Sequence, residues 1–553
     1  MPTVSAHVAR TLATHLDYVF GVMGNGNAYF LDAIERETDA TFTAVRHEAG
    51  GVVAADAHYR ASNRIAAATA TYGAGFTNTL TALAEAAQAR VPLVLVVGDE
   101  PTSGPRPWDV DQIALASAVG ARTYTVGRTD AAATTAIAVE HALAYRVPAV
   151  LAIPYDVASL EAGEVPATPG LRLPAPLSPA GPFAAGAIAE IAQALAAASR
   201  PLLLAGRGAW LTGAGAALGE LADATGAVTA STALGRGVFP DGRYDLGVTG
   251  GFGAEGAMAL VREADVAVVF GASLNQFTMR FGELFAPGTR VFQVDTAPAA
   301  THPHVGGFVR GDAALVADAL VEELDAIGAE PSGWREQVDL AALRAQPAPD
   351  RIDGLADDEL LDPRAVAARI GDLLPEDRVV VSDGGHFIGW ANMYWPVASP
   401  DRMIMVGTAY QSIGLGFPSV PGAAAARPES TIVLTTGDGG GLMALADLES
   451  AVRTAGGRGV AVVWNDAAYG AEVHVYGRKG IAEEPMRIPV TDFAALATAV
   501  GGEGVVVREL DDLERLAEWT REPEASRRFL LLDCRISSTV VAPYQHEIIN
   551  VNR

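Results

Sequence analysis

The chain has 553 residues, 50% of them hydrophobic and 19% charged, with a net charge of −26 and a pI near 4.7. Such length and apolar content suit several cores, three domains by size, while the acid excess and the lack of any basic stretch with interleaved aromatics argue against nucleic acid as a partner. One cysteine, Cys534, excludes an internal disulfide; with no charged-then-apolar leader and no uncharged stretch of membrane-spanning length, a cytoplasmic protein with no membrane partner is expected.

From Met1-Pro2-Thr3 the sequence passes straight into helical periodicity. Phe20-Gly21-Val22-Met23-Gly24-Asn25 follows one apolar strand, and Ala44-Val45-Arg46-His47-Glu48-Ala49-Gly50-Gly51 follows another, with Glu48 opening a helix. A carboxylate there often serves only the helix dipole. Downstream stand Thr71-Tyr72-Gly73-Ala74-Gly75-Phe76-Thr77-Asn78 and the apolar run Val91 to Asp99. Prolines at 166, 169, 174, 176, 179 and 182 exclude regular helix or inner strand from Gly163 to Pro182 and predict a linker. Pro331 to Leu355, with Pro347 and Pro349, predicts a second. Domains are therefore expected at 1–160, 183–330 and 356–553. Each alternates apolar strands with helical stretches, the pattern of α/β domains; three doubly wound parallel sheets are predicted.

In the middle domain, Leu202-Leu203-Leu204-Ala205-Gly206-Arg207-Gly208 and Val266 to Ala272 are strand-then-glycine patterns that could hold a nucleotide. In the last domain the β-branched run Thr431 to Thr436 ends at Gly437-Asp438-Gly439, and Leu442 to Val452 has helical periodicity. Gly437, Gly439, Gly440 and Gly441 let the backbone approach an anion at a helix N-terminus, and Asp438 offers a hard oxygen ligand. A second strand, Gly459 to Trp464, delivers Asn465 and Asp466 to the same sheet edge, where ligands of parallel sheets collect. Mg²⁺ takes a few protein oxygens plus diphosphate oxygens. Alone, Gly-Asp-Gly after a strand is equally an ordinary turn with a helix-capping Asp.

Together, Gly437-Asp438-Gly439, Trp464-Asn465-Asp466-Ala467-Ala468-Tyr469-Gly470 and the N-terminal segments resemble thiamine-diphosphate enzymes of the acetolactate synthase, pyruvate decarboxylase and benzoylformate decarboxylase type. The resemblance covers essentially the whole chain and implies a pyrimidine-binding first domain and a diphosphate-binding last domain. It departs at Asn465-Asp466, where the family has Asn-Asn. Registering on Tyr469-Gly470 puts Asp466 at the metal position, with the carbonyl of Ala468 as a further ligand and one extra residue in the Gly456-Gly457-Arg458 turn. Counting forward from Asp438 favours Asn465 and the carbonyl of Ala467. Asp466 is preferred, because the strand end and turn are the tighter constraint.

The resemblance further implies that Glu48 bonds the aminopyrimidine ring. Thiamine loses the C2 proton of its thiazolium to its own 4′-amino group, which is basic enough only as the imino tautomer. A buried acid with a raised pKa at N1′ would favour that tautomer. Gly73, Asn78, Gln411, Gly440, Tyr469 and Gly470 are further cofactor-binding candidates, and Ile413 falls where the family presses an apolar side chain under the bent cofactor. Thiamine diphosphate and Mg²⁺ are thus the expected cofactors. FAD is not, because Ser273-Leu274-Asn275-Gln276-Phe277 does not resemble the flavin-binding members' Arg-Phe-Asp-Asp. Because the modules of this family meet across a subunit boundary, a homodimer is the minimum and a homotetramer is common.

The reaction the resemblance implies is decarboxylation of a small 2-oxo acid to an enamine that is protonated or ligated to a second carbonyl compound. Glu472 aligns with the proton-relaying Glu of pyruvate-decarboxylase-type enzymes. Their His-His pair is missing, its loop being Thr102-Ser103-Gly104-Pro105-Arg106-Pro107-Trp108, and Asn25 replaces their Asp. That loop, with Asp111-Gln112-Ile113-Ala114-Leu115, looks more like acetolactate synthase. His386 and His474 could supply the missing proton chemistry, although a lone His in a loop is commonly an ordinary hydrogen-bonded surface residue. Asn25, Trp108, Phe277, Phe387, Tyr410 and Glu472 are candidates for sensing the substrate side chain. A C–C hydrolase or lyase acting on a cyclic dione or acyloin shares cofactor and folds and stays as an alternative. A catalytically inactive thiamine-binding homologue would be expected to have lost Glu48.

Overall fold

The computed structural model describes residues 1–167 and 170–552; Pro169 of the first linker and Arg553, the last residue of the third expected domain, lie outside them. The described residues form three six-stranded sheets, every strand pairing parallel. In spatial order the first runs Thr41–Ala44, Tyr18–Gly21, Ala67–Ala70, Leu93–Asp99, Pro148–Pro154 and Arg122–Thr125. The third runs Met403–Met405, Arg378–Ser382, Thr431–Gly437, Gly459–Asn465, Leu530–Arg535 and Glu503–Val507. These two orders are the same path through a sheet, whereas the middle sheet, with Pro201–Ala205 and Val266–Phe270 paired at its centre, follows another. The expected three doubly wound domains are what the chain forms.

The central strands are buried on both faces, as all seven residues of Leu93–Asp99 and of Gly459–Asn465 are, which is why they read as continuous apolar runs rather than alternating ones. Helices cover them, and the first, Val4–Ala13, is capped by Thr3, whose hydroxyl accepts from Ala6 N. The first and third domains share one core. Helix Glu48–Ser62 lies on helix Gly416–Ala426 so closely that a Cβ on Gly422 would stand 1.9 Å from the carbonyl of Ala54. Val52, Val53, Phe417, Val420 and Leu434 fill the space around that crossing.

Two elements differ from expectation. The helix read over Leu442 to Val452 starts earlier, at Asp438, ends at Met443 and resumes at Leu448–Ala455, because its apolar period belongs to the second piece while the glycine run makes the first turn. The stretch 331–355 is not simply a linker: Trp334 and Leu340 are buried in the middle domain's core, with a short helix at Leu340–Leu343. By contrast residues 170–180 hold no helix or strand, and the next helix begins at Gly181 with Pro182 in its first turn. In the middle domain the strand-end glycines meet each other: a Cβ on Gly206 would stand 2.4 Å from the Gly271 carbonyl, so backbone contact alone accounts for that glycine. Among the described residues no helix is long and apolar enough to cross a membrane.

Candidate active site

At the carboxyl edge of the third sheet, Gly437 is the last residue of its strand and the cap of helix Asp438–Met443, a turn that holds Gly439 and Gly440. Asp438 is 3% exposed; its Oδ1 accepts from Gly439 N at 2.9 Å, and its Oδ2 is buried with no hydrogen-bond partner. Burial pushes its carboxyl up to about 6. On the neighbouring strand Asn465 is the final residue, and Asp466 follows it. Burial and then the Asp438 charge push Asp466 up to about 7, while its Oδ1 accepts from Ala468 N at 3.2 Å. Two desolvated carboxylates, the charge of one raising the other and one with an orphaned oxygen, make a donor set suited to a hard divalent cation.

In the turn after strand Gly459–Asn465, Ala467 sits in the left-handed region at φ 56, a strained place for alanine, and its carbonyl is taken by Ile488 N at 2.9 Å. Ala468's carbonyl accepts no backbone amide among the described residues. Asn465 is turned inward, its Nδ2 donating to Asp533 Oδ1 at 2.9 Å and to the Thr491 carbonyl at 3.0 Å, which leaves its Oδ1 orphaned. Tyr469 caps helix Gly470–Tyr476.

Across the domain junction, helix Glu48–Ser62 starts at Glu48, with His47 Nδ1 accepting from Ala49 N. Glu48 Oε2 accepts from Asn78 Nδ2 at 2.9 Å. Glu48 is half-buried rather than sealed in an apolar pocket. Gly73, at φ 59, donates its N–H to Gln112 Oε1 at 3.0 Å. Asn25 donates to Tyr72 Oη at 2.8 Å, and the Arg106 guanidinium stacks 4.0 Å over the same ring. Gln411, at φ 62, precedes half-buried Ile413, and a Cβ on Gly384 would stand 3.1 Å from Ile413 Cγ2.

His386 and His474 are not surface residues. Both are buried, their rings 4.7 Å apart, and burial holds them down to about 3 and about 4. His386 Nε2 accepts from Ala542 N at 3.1 Å, which places its proton on Nδ1, and Tyr544 donates to the His386 carbonyl at 2.6 Å. The C-terminal helix Pro543–Val551 thus closes over the pair. Glu472 stands exposed on the first turn of its helix and bonds neither histidine. Trp108 and Tyr410 are exposed, while Phe387 is buried and Phe277 packs on Phe252 and Tyr544.

Two residues of the site escaped the sequence reading. Asp383, 1% exposed, accepts from Gly384 N, Gly414 N, Leu415 N and Thr436 Oγ1, anchoring the Ile413 turn to the sheet; the signal was an acid ending the apolar run Val379–Ser382. Gln112, which holds Gly73, also donates to the Gly98 carbonyl at 3.0 Å and to Asp99 Oδ1 at 3.1 Å; as a lone polar residue opening an apolar helix it could have been noticed.

With fold and site in place, the chain can be compared with known proteins. Three consecutive family models match it: thiamine pyrophosphate enzyme, N-terminal TPP binding domain, at residues 2–115; the central domain of the same family at 188–323; and its C-terminal TPP binding domain at 383–534. The chain belongs to the thiamine pyrophosphate enzymes, of the acetolactate synthase type. Among its relatives, the sulfoacetaldehyde acetyltransferase of Castellaniella defragrans is 28% identical over 547 residues, 93% of this chain and 89% of that protein. The acetolactate synthase large subunit of Parasynechococcus marenigrum is 28% identical over 90% of this chain and 82% of its own length. The acetolactate synthase isozyme 3 large subunit of Escherichia coli is 26% identical over 94% and 92%.

Proposed function

We propose that this protein is a thiamine-diphosphate- and Mg²⁺-dependent enzyme that decarboxylates a small 2-oxo acid and completes the reaction by protonation or by carboligation. The observation that carries the reading is the facing pair Asp438 and Asp466, with the orphaned Asp438 Oδ2, at the sheet edge where a diphosphate would lie. Asp438, Asp466 and the carbonyl of Ala468 would hold the metal, and Asn465, whose Nδ2 is held by Asp533, keeps an unpartnered Oδ1 that would serve as the alternative ligand. The backbone of Gly437, Gly439 and Gly440, with Tyr469 and Gly470, would receive the diphosphate. When bound, thiamine diphosphate supplies a carbon nucleophile and an electron sink.

The chain's own residues orient that chemistry and move protons around it. Glu48 is the proton partner of the pyrimidine, and Asn78 fixes its carboxylate by donating to Oε2. Ile413 and Gln411, on a turn braced by Asp383, would support the cofactor when it is bound. Glu472, exposed on the first turn of its helix, would be the proton donor to product, and Asn25, exposed and bonded to Tyr72, would meet the substrate. His386 and His474 are neutral and packed away beneath the C-terminal helix, so their part in proton transfer is indirect, through the Ala542 amide that His386 holds. A cytoplasmic homodimer at minimum, or a homotetramer, belongs to the same reading: a second copy would cover the open side of Glu48.

Calorimetric titration of cofactor-stripped protein with thiamine diphosphate and Mg²⁺, beside Glu48→Gln, tests it, followed by carbon dioxide release from a panel of 2-oxo acids. Magnesium-dependent binding, with release lost in Glu48→Gln, is expected. Sulfoacetaldehyde, an aldehyde with no carboxylate to lose, is run beside the panel with its consumption followed instead, because one relative carries it in its name. Binding without release from any acid would move the assignment to diones or acyloins, and no binding would sink it.

A further inference from the structure

Two buried carboxylates lie outside both cofactor edges. Asp447, in the C-terminal domain, is 3% exposed, and Glu85, in the N-terminal domain, is fully buried. Each accepts a backbone N–H from the other domain. Asp447 Oδ1 takes the amide of Arg46 at 2.8 Å and the hydroxyl of Ser450 at 2.7 Å, and its Oδ2 fills the space beside Gly50, where a Cβ would stand 2.3 Å away. Glu449 pairs with the Arg46 guanidinium at 2.8 Å, and Arg453 donates to the Ala44 carbonyl at 2.6 Å. The loop so gripped, 44–50, is the one that presents Glu48.

The second grip runs the other way. Glu85 Oε2 takes the amide of Tyr410 at 2.7 Å. Arg60, held by Asp56 and by Glu85 Oε1 at 3.1 Å, donates to the Met405 carbonyl at 2.8 Å. The loop from Met405 to Gly414 presents Gln411 and Ile413, and Asp383 holds its far end. Domain packing alone asks only for apolar surface, which the helix crossing already supplies. A desolvated carboxylate is costly unless its hydrogen bonds are well made, and these two are aimed at amides two and three residues before Glu48 and Ile413.

We infer that Asp447 and Glu85 are positioning residues, each a carboxylate of one domain that sets the cofactor-facing loop of the other. The inference rests on the roles proposed for Glu48 and Ile413. Removing either carboxylate frees its loop, so that Glu48 or Ile413 meets the cofactor out of place; a misplacement near 1 Å can cost about a hundredfold in rate.

The test uses the full-length protein in two arms. In the first, backbone hydrogen exchange of the cofactor-free protein is followed by mass spectrometry in wild type, Asp447→Ala, Asp447→Asn, Glu85→Ala and Glu85→Gln. Ala at 447 should speed exchange in the peptide holding residues 44–50, and Ala at 85 in that holding 405–414. Asn and Gln, which keep an oxygen for the amide, should leave exchange near wild type. In the second arm, exchange of the C2 proton of bound thiamine diphosphate is read by NMR beside the dissociation constant of the cofactor. C2 exchange should slow by about tenfold or more in the Ala variants, with a smaller change in affinity, and recover in Asn and Gln.

Folded Ala variants with wild-type amide protection, or with wild-type C2 exchange, overturn the inference. If Asp447→Ala does not fold, Gly50→Ala takes its place, because it pushes Asp447 aside with its charge intact; if Glu85→Ala does not fold, Glu85→Asp, too short to reach the Tyr410 amide, takes its place; the same two results decide. Wild-type protein that binds no thiamine diphosphate would sink the functional reading while the amide-exchange arm still judges the two grips.

Discussion

The two halves of the candidate site follow the same strand order, yet one chain finishes only one of them. At the C-terminal edge Asp438 and Asn465 are 3% and 4% exposed, with orphaned oxygens waiting inside the fold. At the N-terminal edge Glu48 is half-exposed and Asn78 and Asn25 face solvent, with Gln112 and Asp99 buried beneath them. The first edge strips water from its own carboxylates, which a cation, in the proposed reading, would compensate. The second needs desolvation and so needs a surface. The difference teaches that a carboxylate's chemistry is set by who removes its water: for Asp438 its own domain, and for Glu48, in the proposed reading, a second copy of the chain.

The largest effect is expected from Asp438→Ala. Calorimetry should find magnesium-dependent binding of thiamine diphosphate weakened by about a hundredfold or more, as for loss of a metal ligand. The same change should leave the melting temperature of the metal-free protein equal or higher, because it removes a buried carboxylate whose charge opposes that of half-buried Asp466; a fall of several degrees would break the account of that edge. Glu48→Gln should do the reverse. Its melting curve and cofactor affinity should match wild type, since Gln can still meet Asn78 in a half-exposed place, while turnover falls by about a hundredfold to a thousandfold. Glu472→Gln, on an exposed lip, should alter the ratio of protonated to ligated product by about tenfold with cofactor affinity unchanged, read by product analysis.

The same contrast explains what the sequence could be read for. Strands such as Leu93–Asp99 and Gly459–Asn465 were legible because a parallel sheet buries both faces and leaves an unbroken apolar run. Asp438 and Glu48 were legible because each opens a helix at a strand's end, where spacing is local. What did not show was anything set by distant chain. Asp447 meets Arg46, and Glu85 meets Tyr410, across the domain junction, and no period in the sequence marks such partners. His386 and His474 read as loop histidines because the helix that buries them, Pro543–Val551, comes last in the chain. The break in the Asp438 helix was missed because glycines at 439, 440 and 441 carry no pattern of their own.

That buried histidine pair is a third case, desolvated like Asp438 but with the opposite response to acid. Burial lowers His386 to about 3 and His474 to about 4, from an ordinary 6.5. As pH falls below about 6.5 the unfolded chain therefore takes up protons that the folded one refuses, so stability is full above that pH and is lost as pH drops toward 4. The two rings should part company on substitution. His474 Nε2 has no hydrogen-bond partner, so His474→Phe removes a buried orphan and should flatten the acid slope at no cost in melting temperature near neutrality. His386→Phe should also flatten the slope, but it strands the Ala542 amide and should lower the neutral melting temperature, loosening the C-terminal helix first. Melting curves from pH 7.5 to 4.5 on both variants decide it: equal neutral melting temperatures would mean that the Ala542 contact does not hold the helix down, and unchanged acid slopes would mean that the pair is not what the fold loses first.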